Sequence, residues 1–298
     1  MGAYFSSRGL DNPFSNSATS KLVINKNEKN NNSCHVIAVT SGKGGVGKTN
    51  FAINTALELG IQGFSVTLLD ADLALANADL LLGVKPVYNL SHVISGERKL
   101  KEIICPVGTN VNLIPASSGL EHLVKLPQIK RNQLINDLKE IESNTNFIFI
   151  DTPAGIGSNV INFLCAASEV IVVTTPEPTA IIDAYATIKV LHKYSPNKRI
   201  WIVVNNVNSF EEAEQVSGQL VKTVDSFLKH KIEYLGAIPN DPELVKAIKQ
   251  QIPIVEYSPN VPSSRSFRVI AKRLHLALGT SSKKSSSFWH SLTDSNFC

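Results

Sequence analysis

Apolar residues along this chain fall into short unbroken runs, separated by segments in which they recur every three or four positions. The unbroken runs lie at 35–40, 65–70, 111–115, 146–151, 169–175, 199–205 and 232–238. Runs such as Phe147-Ile148-Phe149-Ile150 and Val170-Ile171-Val172-Val173 have no polar side, the pattern of strands covered on both faces. The recurrent segments predict amphipathic helices at 127–142, 179–193 and 211–229, and Phe51, Ala52, Thr55, Ala56 and Leu59 mark another. Phe267, Ile270, Ala271 and Leu274 form a further core stripe, with Arg265, Arg268, Lys272 and Arg273 on its solvated side. Strand and helix alternating in this way predict an α/β fold: a mostly parallel, twisted sheet with helices on both faces. No linker or internal repeat interrupts residues 34–279, which read as one domain.

The two ends break the pattern. Residues 1–33 are polar and rich in Asn and Ser, with almost nothing to bury, and are expected to be a disordered arm. Residues 280–298 begin as a Ser/Lys tether and continue as Phe288-Trp289-His290-Ser291-Leu292. Two readings of this tail stand. Phe288, Trp289 and Leu292 can share the apolar face of a short membrane-contacting helix, with Lys283 and Lys284 meeting anionic headgroups. Alternatively they are stray aromatics in a disordered tail.

The chemistry begins where the first strand ends. Ser41-Gly42-Lys43-Gly44-Gly45-Val46-Gly47-Lys48-Thr49 fits the phosphate-loop pattern G-x-x-x-x-G-K-[ST] and carries an extra lysine, Lys43, inside it. Glycines let successive backbone N–H groups turn onto phosphate oxygens, and the following helix offers its positive end to the same anion. Lys48 is placed to reach the β- and γ-phosphates, and the Thr49 hydroxyl to ligate Mg²⁺.

Three later segments complete the pattern. Asp70 and Asp72 close the second apolar run and point to the same side of an extended segment. One can hold the Mg²⁺ shell while the other orients or deprotonates a water. The run 147–150 ends in Asp151-Thr152-Pro153-Ala154-Gly155, a Walker B strand whose carboxylate holds Mg²⁺ through water. Gly155 permits a backbone N–H near the γ-phosphate. The late strand Ile202-Val203-Val204-Asn205-Asn206 lacks the Asp that selects guanine; the Asn205 carboxamide suits adenine, so ATP is favoured over GTP. Pro239-Asn240-Asp241 either closes over the base or caps a helix starting at Pro242.

Composition narrows the class. The chain has 298 residues, 43% of them hydrophobic, with a net charge of +4, which permits but does not require an anionic partner. There is no basic-then-apolar leader and no run long enough to span a bilayer, so a cytoplasmic location is expected, with the tail reading adding a peripheral contact at the inner face of the membrane. Cys34, Cys105, Cys165 and Cys298 form no C-x-x-C pair, which argues against zinc, thioredoxin-like and iron–sulfur chemistry.

The K-G-G-x-G-K-T loop at 43–49, with Asp70-x-Asp72 and Asp151-Thr-Pro-Ala-Gly155, resembles the deviant Walker A ATPases of the MinD/ParA group, P-loop NTPases of the SIMIBI type. The similarity runs over most of residues 35–276. The stretches 68–83 and 177–189 look most like the flagellar-number branch of that group, FlhG/FleN. The resemblance implies a slow ATPase that forms an ATP-dependent homodimer and restrains flagellar gene expression and flagellar number or placement. Its implied ligands are ATP, ADP and Mg²⁺, and its implied partners an FlhF-type signal-recognition-like GTPase and a FleQ-type transcriptional activator. Lys43 is then the signature lysine that reaches the partner's ATP, working with Lys48 and with Asp72 as the water-activating residue. The segment Gly42 to Asn50, Asn205, Pro239, Asn240 and Asp241 would surround the nucleotide. Thr49, Asp70 and Asp151 would serve the metal, and Asp72, Asn77 and Gly155 would switch.

Two residues depart from the pattern, Ala74 where Gly is usual and Pro153 where Ala is common, and no D-Q-A-x-x-L-type activating segment is evident in residues 1–33. A MinD-type division-site regulator, a ParA-type partitioning ATPase that binds DNA, and a nucleotide-gated adaptor without catalysis remain open here, although the basic residues around 265–273 favour a solvated helix face over a DNA site.

Overall fold

The computed structural model describes residues 34–72, 77–115, 128–279 and 287–293. The N-terminal arm, Ala74, the 280–286 tether and Cys298 lie outside the described residues. Eight strands build one sheet: β1 (His35–Thr40), β2 (Val66–Asp70), β3 (Cys105–Gly108), β4 (Val111–Pro115), β5 (Phe147–Asp151), β6 (Glu169–Thr174), β7 (Arg199–Val207) and β8 (Glu233–Pro239). Their order is β3-β4-β2-β5-β1-β6-β7-β8, with every pairing parallel except β3–β4. β1 therefore sits in the middle, and its glycine loop opens between β5 and β6.

The seven apolar runs are all strands, with ends within one residue of those expected except for β7, which runs two residues further, to Val207. β3 was not expected. It is four residues long, contains Pro106, and exists because it hydrogen-bonds to β4 at the edge, where a missing N–H costs little.

Helices cover both faces. On one lie α1 (Lys48–Ile61), α2 (Ala78–Leu81), α9 (Pro242–Gln250), α10 (Ile254–Tyr257) and α11 (Pro262–Gly279); on the other lie α3 (Leu90–Ser95), α4 (Leu100–Ile103), α5 (Gln128–Ser143), α6 (Ser158–Ala166), α7 (Pro178–Tyr194) and α8 (Phe210–Leu228). Strand alternation sorts the core between the layers. Val36 and Ala38 face the α5–α7 side, Ile37 and Val39 the α1–α11 side. The 267–274 stripe lies in α11 and is buried, as its spacing predicted.

In the described part of the tail the aromatics pack on the protein itself. Residues Phe288–Thr293 form a last helix, α12, docked on α5 and α6. Phe288 is 2% exposed and Trp289 1%, and both belong to the main apolar cluster. Ser287 Oγ donates to Glu142 Oε2 at 2.8 Å. The aromatics thus face the body of the protein, where the apolar surface of α5 and α6 removes them from water. Among the described residues no helix is long and apolar enough to cross a membrane.

Candidate functional site

The glycine loop joins β1 to α1 at the carboxyl edge of the sheet, where ligands bind in open α/β folds. Several contacts hold it in shape. Val46 is buried in the α1-side core, Ser41 Oγ donates to Lys43 O, and Gly155 N donates to Ser41 O at 2.8 Å. Gly47 has φ +88°, and a Cβ there would meet Asn205 Nδ2 at 2.3 Å, so only glycine fits. Gly44 and Gly45 face open space. That is the room a phosphate chain needs, at the foot of a 14-residue helix.

Behind the loop, β2 and β5 bring the carboxylates together. Asp70 and Asp151 are register partners at the ends of these neighbouring strands. Asp151 Oδ1 accepts from Lys48 Nζ at 2.6 Å, in a site where Lys48 is 7% exposed. Burial pushes the Asp151 pKa up, opposed by the Lys48 ammonium and the adjoining Thr49 hydroxyl. Burial, and then the Asp151 charge, push Asp70 up to about 7, although Asp70 accepts backbone bonds from Asp72 and Ala78. A buried carboxylate raised by a second carboxylate beside it favours a cation.

Mg²⁺ fits this donor set. Asp151 Oδ2 is buried without a hydrogen bond of ordinary geometry, and it sits beside Thr49. Among the described residues no three His, Cys, Asp or Glu side chains converge as a cage. One or two carboxylates, a hydroxyl, phosphate and water are the usual donors for Mg²⁺. Asp72 follows β2 directly and is half-buried at the same edge. Asn77 sits at the start of α2, where its side chain makes no capping bond. The next backbone N–H, that of Ala78, donates to Asp70 Oδ2, so this short helix is tied to the end of β2.

Lys43 lies outside its own cradle. It is exposed, and its Nζ meets Glu177 Oε2 at 2.7 Å and Thr179 Oγ1 at 3.5 Å, at the start of α7. The hydrogen bond and charge of Glu177 raise its pKa. Sequence reasoning missed Glu177 as a partner, because 134 residues separate the two and neither segment signals the contact.

On the base side the structure revises two expectations and qualifies a third. Asp241 is buried and spent internally. It accepts from Glu243 N at 3.0 Å, capping α9, and from Ser263 N and Oγ at 3.1 and 2.8 Å. Both carboxylate oxygens are engaged inside the fold, so of the two expectations the helix cap is the one with contacts behind it. Asn50 Oδ1 accepts from Asn54 Nδ2 one turn along α1, which makes its side chain part of the helix surface. Asn205 Nδ2 donates to Val46 O at 2.8 Å, so this residue braces the phosphate loop, leaving its carbonyl oxygen for any base contact. A bulge between Asn205 and Val207, with Asn206 at φ +59°, sets that direction. Asn240 is exposed and Pro239 half-buried beside it.

A strand–glycine loop–helix with a lysine, a hydroxyl and two strand-end carboxylates defines a P-loop ATPase site. The chain belongs to the ParA family of P-loop NTPases, the MinD/ParA group: the family model described as NUBPL iron-transfer P-loop NTPase matches residues 32–275. It is 40% identical over 239 residues to the antiactivator FleN of Pseudomonas aeruginosa, covering 80% of this chain and 85% of that protein. It is 38% identical over 246 residues to the flagellum site-determining protein YlxH of Helicobacter pylori, covering 82% and 83%. Among solved structures, the septum site-determining protein MinD of Pyrococcus horikoshii, complexed with Mg-ADP, superposes with a TM-score of 0.66 at 28% identity, over 84% of this chain and 100% of that one. The expected fold and family are thereby borne out.

Proposed function

We propose that this chain is an ATP-driven switch that dimerises around nucleotide and restrains flagellar number or placement as an antiactivator. The observation that carries it is the position of Lys43, in the phosphate loop yet turned out of its own cradle to Glu177. On exchanging Glu177 for phosphate, such a lysine would serve a second copy's nucleotide, as an arginine finger supplied in trans does. The likeness to FleN and YlxH over more than four-fifths of their lengths supports the flagellar assignment. An FlhF-type GTPase and a FleQ-type activator are the proposed partners.

Lys48 and the loop N–H groups would bind the β- and γ-phosphates, while Asp72 orients the attacking water and Asn205 Oδ1 meets the adenine amino group. Mg²⁺, held through Thr49 and Asp151 with Asp70 behind, would neutralise charge on the phosphates. The iron-transfer wording of the family model finds no support in the cysteines. Among the described residues Cys34, Cys105 and Cys165 form no disulfide, and no three His, Cys, Asp or Glu side chains converge.

The test is Lys43→Ala. ATP affinity of the monomer should stay within about twofold, while ATP-dependent dimerisation and turnover fall about 10³-fold or more. Unchanged dimerisation and turnover would remove the trans role. A deletion strain should show altered flagellar number; normal flagellation with misplaced septa would assign the chain to division instead.

A further inference from the structure

At the end of the sheet opposite the glycine loop stands a pair of imidazoles that the nucleotide chemistry does not use. His192 lies in the last turn of α7, and His230 in the connection between α8 and β8. Their rings are 5.1 Å apart and inclined at 61°. His230 is 8% exposed and His192 is half-buried.

The ring nitrogens can be assigned. His230 Nδ1 lies 2.9 Å from Pro196 O, in the connection between α7 and β7. A carbonyl only accepts, so Nδ1 carries the proton and Nε2 keeps its lone pair. That Nε2 is buried with no hydrogen-bond partner, and so is Nδ1 of His192. Leaving such atoms unpaired is costly. Three other described histidines are engaged. His35 faces Glu169 at 3.6 Å, His92 Nδ1 faces Asn89 Oδ1 at 3.0 Å, and the His275 ring packs on Phe64.

We propose that His192 and His230 together bind a Zn²⁺ ion, which pins the end of α7 to the connection before β8. Two imidazoles on one tetrahedral zinc, each with Zn–N of about 2.0–2.1 Å, hold their ring centres about 5 Å apart. The two rings already stand at that separation. The carbonyl of Pro196 does for His230 what a backbone carbonyl does behind a metal-binding imidazole: it fixes the tautomer and the direction of the lone pair. The donors choose the metal. Neutral imidazoles suit zinc and its transition-metal neighbours, whereas Mg²⁺ and Ca²⁺ take oxygen. Water completes the coordination from the half-exposed side of His192. Lys193, Lys229 and Lys231 lie close in sequence but are exposed, so salt screens their repulsion of a cation.

The experiment is calorimetric titration of the full chain with Zn²⁺, without nucleotide and in excess Mg²⁺. The wild type should take up an ion that His192→Gln/His230→Asn does not. At roughly tenfold excess over Kd, zinc should raise the wild-type melting temperature by about 3 °C and leave the variant's unchanged. The Asn amide can still donate to Pro196 O while lacking Nε2, so without zinc the variant should melt within about 2 °C of the wild type. A readout on the wild type alone stands even if the variant folds poorly. In isotope-labelled protein, zinc should move the nitrogen resonances of His192 and His230 and leave those of His35, His92 and His275 in place. No uptake by the wild type, equal uptake by a folded variant, or shifts confined to other histidines would each overturn the proposal. ATP turnover without zinc should be the same in both proteins, and none of these outcomes bears on the role of Lys43.

Discussion

Lys48 and Asp151 meet in a place where neither has water, and each is tolerable only because of the other. Removing one partner of such a pair costs more than the pair contributes. Any phosphate entering the cradle therefore competes with Asp151 for an ammonium already committed. Asp241 is the opposite case, a carboxylate committed wholly to the fold. From sequence it could cap or close; the deciding partner, Ser263, lies 22 residues on, beyond any local pattern. Burial raises its pKa, but the bonds from Ser263 and Glu243 outweigh that, and the folded value is lowered. Its stabilisation is thus present above the unfolded value near 3.9 and is lost as pH falls through the folded one. Asp241→Ala should cost roughly 2 kcal/mol in urea unfolding at pH 7, with the deficit shrinking as pH falls below the unfolded value near 3.9, and leave ATP affinity within about twofold. A tenfold loss of affinity in a normally stable variant would restore the base-closing role.

At the level of elements, the long strands and helices were legible because their burial repeats with the period of the backbone. The short ones were not. α2, α3, α4 and α10 have four to six residues, too few for a period, and are fixed by neighbours such as Asp70 and the Asn89–His92 capping box. α12 was legible only as an apolar face, since a sequence does not say whether lipid or protein covers such a face. Its attachment differs in kind from that of a strand. Trp201 lies inside β7, and Trp201→Ala should cost about 3–5 kcal/mol. Trp289 sits on a six-residue helix that can leave as a unit. Trp289→Ala should therefore lower global stability by less than Trp201→Ala, while hydrogen exchange in α12 rises sharply. Equal global losses would mean that α12 unfolds only with the core.

At the scale of the molecule, the glycine loop and the Asp70–Asp151 pair lie together at the carboxyl ends of the strands, with the apolar layers behind them. The site itself was readable from sequence as far as its motifs extend, through Lys48, Thr49, Asp70 and Asp151. The contacts of Lys43, Asn205 and Asp241 were not, since each joins segments that only the strand order brings together. That order also sets a timetable. β1 is among the first segments to leave the ribosome, yet its two neighbours are β5 and β6, with Val36 opposite Ile148 and Ala38 opposite Val170. At roughly 5–20 residues per second, a bare apolar strand waits on the order of ten seconds for a partner. Nascent chains displayed through residue 145 should leave the glycine loop open to protease and blind to ATP, and protection should begin only once β6 has emerged. The glycine loop is made well before either strand that frames it, and the cradle cannot exist until both have followed.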